Sequence, residues 1–180
     1  GGHIMVPVTL LAISIMWFPV ALFFLGKGEA KGTGFATGLV GGVTIVAGIL
    51  QTIVNQDPWI GALLVVYGFF YCSVAHALLA GQEDLRSMGN VSLTVAIISV
   101  VYVIFSLTGG PVLENGKQLI PQSNFLALAA AGYTALYIMV WLFTYGRFPG
   151  KVLGISLMVW TVVGLWLPGF WLLSTNQLPF

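Results

Sequence analysis

Six long stretches of the chain carry no Asp, Glu, Lys or Arg, and this feature limits the possible folds more than any other. Each stretch has at least 25 residues, whereas about 20 apolar residues suffice for a helix to cross the hydrocarbon core of a bilayer. The stretches are 1–26, 32–56, 58–82, 87–113, 118–146 and 152–180. We therefore predict an all-α integral membrane protein with six transmembrane helices in three hairpins.

The composition excludes the main alternatives. Only 6% of the 180 residues are charged and 58% are hydrophobic, whereas an average soluble domain is about 25% charged. The net charge is +1 with six scattered Lys and Arg, so a nucleic-acid partner is not expected. The single cysteine, Cys72, excludes a disulfide framework within the chain. The expected surroundings are membrane lipid.

The predicted spans leave no room for a second domain. Gly1–Ile4 precede the first methionine and are interpreted as a remnant of cloning, so residues 5–180 form a single predicted membrane domain. Trimming the turn residues gives spans at about 6–25, 33–54, 59–80, 89–109, 123–145 and 152–173.

The basic residues predict an orientation. Five of the six Lys and Arg lie in the loops after the first, third and fifth spans, and only Lys117 lies on the other side. Basic loops tend to stay in the cytoplasm, so we expect both termini outside. Each loop of the basic side also contains a glycine followed by a basic residue, which weakly suggests a threefold repeat of hairpins.

Small residues at regular spacing predict close helix packing. Gly34, Gly38 and Gly42 recur every four residues in the second span, and small residues on one face let membrane helices approach closely. This face is expected to pack either within the protomer or between protomers.

The predicted spans lack the charged side chains that ion coupling and most enzyme sites require. They hold no Asp, Glu, Lys or Arg, and His76 is their only strongly titratable residue, which argues against coupling to an ion gradient and against a charged substrate. Cys72 and His76 share a helix face, but a nucleophilic or metal site needs further partners that the sequence does not offer. We therefore expect no enzyme activity, no cofactor and no metal.

Aromatic residues with polar tips occupy the spans instead. Tyr67 and Tyr71 lie one turn apart near the middle of the third span, and Trp160 and Trp166 lie inside the sixth. Their rings and their O–H or N–H groups are suited to line a narrow path for a small, neutral, polar solute, although some of these aromatics are also expected at the interface or in packing.

Several motifs resemble those of the bacterial urea and short-chain amide channels. The passage KGEAKGTGFATGLVGGVTIV, from Lys27 to Val46, is similar to the family's first-to-second helix region. YGFFY, from Tyr67 to Tyr71, resembles its third-helix aromatic motif. The tail from Gly150 to Leu173, with Trp166 and Pro168 in a Trp-x-Pro motif, resembles its last helix, and Pro168 is predicted to support helix packing.

This resemblance implies a passive or proton-modulated channel for urea, acetamide and formamide in a bacterial plasma (inner) membrane. It also implies a homohexamer in which each protomer conducts through its own bundle. The pore-lining residues it implies lie on helices one, three, five and six: Val6, Leu10, Ile13, Trp17, Tyr67, Tyr71, Leu136 and Trp160.

The chain also departs from the family pattern. Trp160 stands where an acid-activated member of the family has a glutamate, and a tryptophan-rich face of helix five is replaced here by Phe125, Ala129, Gly132 and Leu136. We therefore expect either a differently shaped constriction or a different alignment of these helices. An ion-coupled transporter and a non-conducting structural membrane protein remain the alternatives.

Overall fold

The computed structural model describes residues 5–180, and Gly1–Ile4 lie outside the described residues. Six helical spans follow one another, each long and apolar enough to cross a membrane. The first five are α1 (Met5–Phe24), α2 (Ala30–Ile53), α3 (Pro58–Leu79), α4 (Arg86–Thr108) and α5 (Asn124–Thr144). The sixth consists of α6 (Gly150–Trp160), a π-helical turn (Thr161–Trp166) and α7 (Leu167–Thr175). The prediction of an all-helical membrane protein with six spans is confirmed.

Each helix contacts the next one in sequence, and α6 and α7 contact α1, so the six spans close into a ring. The most extensive interfaces are those of α2 with α3 and of α4 with α5. Side chains from α1, α3 and α5 meet at the centre of this ring, where Trp17, Tyr71 and Tyr133 are in contact. The core is therefore built mainly by the odd-numbered helices.

The three loops on the basic side share one backbone motif. The helices α1, α3 and α5 each end just before a glycine with a left-handed backbone, Gly26, Gly81 and Gly146, with φ of 74°, 60° and 69°. In each case the residue after the glycine donates its N–H to a carbonyl five residues earlier, as Lys27 does to Leu22 at 2.9 Å and Arg147 to Leu142 at 2.8 Å. This is the Schellman motif, which favours glycine because a side chain is strained at this φ. We call this end of the bundle the basic end and the opposite end the outer end.

Close glycine packing joins α2 to α3. A Cβ added to Gly41 would lie 3.1 Å from the carbonyl oxygen of Gly68, and one added to Gly68 would lie 2.9 Å from that of Gly41. Gly48 and Gly61 form a second such pair, at 2.6 and 2.7 Å. Only glycine fits at these positions without moving the backbones apart, so this interface depends on the absence of side chains.

The three predicted packing glycines of α2 differ in their contacts within this chain. Cβ atoms added to Gly34 and Gly38 would meet Leu78 at 2.9 Å and Ala75 at 3.3 Å, but one added to Gly42 would meet no atom within 4 Å. A helix turns about 100° per residue, so Gly42 is rotated about 80° from Gly34, whereas Gly41 is rotated only about 20°. Gly41 therefore takes the place predicted for Gly42, which lies on the outer surface of this chain.

The sixth span contains an irregular turn near its middle. Between Thr161 and Trp166 the backbone is π-helical, and the N–H of Leu167 bonds to the carbonyl of Val162. Pro168 follows, buried, at the start of α7. Proline has no N–H to donate and its ring clashes with the preceding turn of an α-helix, so a wider turn before it relieves the conflict. This places Trp160 next to a local change in helix geometry.

Candidate functional site: an aromatic cluster at the bundle centre

A cluster of aromatic side chains fills the centre of the bundle about halfway along the helices. Tyr67 lies 5.2 Å from Tyr133 and 5.1 Å from Tyr137 between ring centroids. Trp17 meets Tyr133 edge to face at 5.5 Å, and Trp160 does so at 5.3 Å. The cluster therefore joins four spans. We call the set of seven rings the central cluster: Trp17, Tyr67, Phe70, Tyr71, Tyr133, Tyr137 and Trp160.

Most polar atoms of the central cluster are buried without a hydrogen-bond partner. They are two indole N–H groups and three hydroxyls: those of Trp17, Trp160, Tyr71, Tyr133 and Tyr137. The Tyr71 hydroxyl lies near Tyr137 and Trp17, and the Tyr133 hydroxyl lies near the Trp160 indole, but none of these contacts has the geometry of a hydrogen bond. An unpaired buried polar group costs about 1–3 kcal/mol, and five gathered in one place are therefore unusual.

One hydroxyl of the cluster is an exception. The hydroxyl of Tyr67 lies 2.9 Å from the Ser99 hydroxyl on α4, and Ser99 is fully buried. Ser92, one heptad earlier on α4, donates to the carbonyl of Tyr137 at 2.8 Å. These two bonds fix the α3 and α5 backbones against α4 and leave the other hydroxyls of the cluster free to bind something else.

A small cavity adjoins the cluster on the side of the basic end. Its volume is about 40 Å³, which is enough to hold more than one water molecule. Trp17 and Tyr71 line it, together with Val20, Val74 and Val140, each about a turn nearer the basic end on α1, α3 and α5. The cavity is thus an apolar chamber, lined in part by the rings of the cluster.

The predicted site residues lie at several depths of the bundle. Ile13, Trp17, Tyr67, Tyr71 and Leu136 are all buried in the core. Leu10 and Trp160 are partly buried and pack against the core, whereas Val6 is half-buried near the outer end of α1. The structure therefore brings most of the predicted residues to one place.

Sequence reasoning gave too little weight to Tyr133 and Tyr137, which carry two of the three unpaired hydroxyls. Their spacing of four residues repeats that of Tyr67 and Tyr71, and this repetition was a usable signal. Ser99 and Gly164 were also missed, and Gly132 was named only as a departure from the family pattern, because their roles depend on contacts that the sequence does not show.

The cysteine and histidine do not form a site with each other. The Sγ atom of Cys72 lies against Gly41 in the α2–α3 interface, whereas His76 is exposed on the surface of α3. Among residues 5–180, no three His, Cys, Asp or Glu side chains come together as metal ligands would.

The fold and the central cluster define a class of protein: a multi-pass membrane protein with partly unpaired polar groups along its axis. Residues 5–176 match the family described as AmiS/UreI family transporters, and the chain therefore belongs to that family.

Two solved structures share the fold. The closed-state urea channel of Helicobacter pylori, determined by electron cryomicroscopy, has a TM-score of 0.80 and 22% identity over 96% of this chain and 100% of that one. The crystal structure of the Helicobacter pylori urea channel has a TM-score of 0.76 and 23% identity over 94% and 97%. No curated protein sequence matches the chain.

Proposed function

We propose that the chain is a passive channel for small neutral amides and urea, with the central cluster as its selective part. The observation that carries this proposal is the group of five buried, unpaired polar atoms. Each indole N–H is a donor suited to a carbonyl oxygen, and each tyrosine hydroxyl can accept from an amide N–H or donate to its oxygen. A permeating amide or urea molecule would supply the missing partners.

The ring faces of the cluster suit the same solutes. Urea and short amides are planar, and the rings of Tyr67, Tyr133 and Tyr137, with centroids 5.1–6.5 Å apart, would offer them flat surfaces once the rings move apart. Conduction requires binding that is strong enough for entry and weak enough for exit. A few hydrogen bonds between apolar faces meet both requirements.

The distribution of charge supports a neutral permeant and passive transport. Charged residues occur in the helices only within their first two residues, at Lys31, Arg86 and Lys151. Coupling to protons or sodium would call for a carboxylate or similar group inside the membrane. The family and the similarity in fold to a urea channel point in the same direction.

We further propose a path along the bundle axis. From the outer end it would pass Val6, Leu10 and Ile13 of α1, then Trp17, Tyr67 and Trp160, and then Tyr71 and Leu136. It would reach the cavity of about 40 Å³ and open at the basic end. The basic end would face the cytoplasm, because five of the six basic residues lie there, and both termini would then lie outside in a bacterial inner membrane.

The assembly is proposed to be a homohexamer, on the strength of the family resemblance alone. Native mass spectrometry of the detergent-extracted protein checks it, and a mass of six protomers is expected. A monomer that conducts in vesicles would contradict the hexamer without affecting the path within one protomer.

Flux into vesicles tests the proposed function. The purified protein in phosphatidylethanolamine–phosphatidylglycerol vesicles should equilibrate labelled urea, formamide and acetamide faster than empty vesicles, without saturation and without sensitivity to a protonophore. Flux that collapses with the protonophore would indicate an ion-coupled transporter. Flux equal to that of empty vesicles would indicate a non-conducting structural protein.

A further inference from the structure

Two glycines on different elements enclose the Trp160 indole. A Cβ added to Gly132 of α5 would overlap the six-membered ring at Cη2, Cζ3 and Cζ2. A Cβ added to Gly164 of the π-helical turn would overlap the other part of the ring at Cε2, Nε1 and Cδ2. The indole therefore occupies a slot whose two walls are bare backbone, and any side chain on either wall would displace it.

The slot determines where the polar tip of the ring lies. Trp160 meets the ring of Tyr133 edge to face, and its indole N–H is buried and has no partner. The Gly164 wall touches the N–H side of the ring, and the Gly132 wall touches the opposite edge. The position of this unpaired donor in the central cluster is thus fixed by two residues that present no side chain of their own.

The backbone geometry fits this role. Trp160 is the last residue of α6, and the π-helical turn begins at the next residue. A π-helical turn has i→i−5 bonds and a wider backbone than an α-helix, and such turns are common at functional sites. Gly164 lies four residues after Trp160 within this wider turn, which leaves its backbone directly beside the ring.

We propose that Gly132 and Gly164 are specificity-determining residues, which act by holding the Trp160 indole beside Tyr133 in the proposed path. This inference rests on the proposed amide channel and adds the residues that set its size limit. The unpaired N–H of Trp160 would bind the carbonyl oxygen of the permeant, while the ring limits the alkyl part beyond that carbonyl.

The test compares Gly132→Ala in two backgrounds. The measured quantity is the ratio of propionamide to formamide permeability in phosphatidylethanolamine–phosphatidylglycerol vesicles, because a ratio does not depend on the amount of protein incorporated. Gly132→Ala should change this ratio about tenfold, since a single methylene in a fitted apolar site changes discrimination by about tenfold or more. In the Trp160→Ala background the same substitution should change the ratio less than twofold, because no ring remains to be displaced.

Gly42→Ala is the matched control. It also introduces a methyl group on a helix, but Gly42 has no atom within 4 Å of the added Cβ, so its ratio should equal that of the wild type. Gly164→Ala should change the ratio as Gly132→Ala does, again only while Trp160 is present.

The outcomes separate this inference from the proposed function. An absence of amide flux in the wild type would remove the proposed function itself. Two results would contradict only the proposal that the glycines position Trp160, provided that the wild type conducts amides. The first is an unchanged ratio of propionamide to formamide permeability in Gly132→Ala, and the second is an equal change of that ratio in both backgrounds. If Gly132→Ala does not fold, recovery of folding in Gly132→Ala/Trp160→Ala supports the slot, and failure of that double variant to fold contradicts it.

Discussion

The interface of α2 with α3 and the central cluster differ in the size of their residues and in whether their buried polar groups are paired. The interface brings two backbones together through Gly41 and Gly68, and the buried hydroxyls on α2, Thr37 and Thr44, each bond to a carbonyl four residues earlier at 2.7 Å. The central cluster holds helices apart with aromatic rings and leaves five polar atoms unpaired. Among residues 5–180, the central cluster thus contains five of the six buried polar side-chain atoms that lack a partner, whereas the interface pairs its buried hydroxyls.

The largest effect on stability should come from filling the interface. In Gly68→Val, the Cβ would lie 2.6 Å from a carbon of Ile45 and 2.9 Å from the Gly41 carbonyl, so the helices must separate. Overpacking of this kind costs about 1–3 kcal/mol. Size-exclusion chromatography after heating in detergent should show an earlier loss of the folded protein than for the wild type. Gly42→Ala is the control, and equal stability of Gly68→Val and wild type would contradict close packing here.

A smaller loss of stability should follow Tyr67→Phe. This change removes the hydroxyl that pairs with Ser99 at 2.9 Å and leaves the Ser99 hydroxyl buried without that partner. A hydrogen bond of this kind contributes about 0.5–1.5 kcal/mol. The same heating assay measures the loss, and Tyr67→Phe/Ser99→Ala should recover part of it. A Tyr67→Phe variant as stable as the wild type would mean that the pair does not support the fold.

The spans could be predicted from the sequence because charge is excluded from hydrocarbon, and every charged residue therefore lies in a loop or within the first two residues of a helix. The helices begin and end within three residues of the predicted spans. The contacts across helices could not be predicted in the same way. Gly42 was favoured over Gly41 by a spacing of four residues, whereas the facing pairs recur every seven, as Gly41 and Gly48 show.

Only part of the site could be predicted, again because contacts between helices are not visible in the sequence. Tyr67, Tyr71 and Trp17 follow from motifs that are local in sequence. The role of Gly132 depends on Trp160, which lies 28 residues away, and a single sequence contains no signal for that contact.

The smallest expected effect is that of pH on flux. The hydrogen bonds from Arg86 hold the pKa of the Asp84 carboxyl at about 2, below its ordinary value of 3.8. A lowered carboxyl pKa means that Asp84 stays ionised above pH 4, and its pairing with Arg86 is lost only as the pH falls toward 2. The loops of the outer end carry Asp57 and Glu114 and no histidine.

Urea flux into vesicles should therefore change less than twofold between pH 5 and pH 7. Asp84→Asn should show the same flat profile. A steep rise in wild-type flux toward pH 5 would contradict this expectation and show that a group other than Asp57, Asp84 and Glu114 senses acid.

The comparison between paired and unpaired hydroxyls is tested most directly by removing unpaired ones. Tyr71 and Tyr137 carry buried hydroxyls without partners, and Phe keeps both rings. We expect Tyr71→Phe/Tyr137→Phe to unfold at or above the wild-type temperature, because no hydrogen bond within the chain is lost. Acetamide permeability in vesicles should fall by about tenfold, since two hydrogen bonds to the permeant of about 0.5–1.5 kcal/mol each are removed. Wild-type acetamide permeability in this double variant, or a loss of stability like that of Tyr67→Phe, would contradict the account.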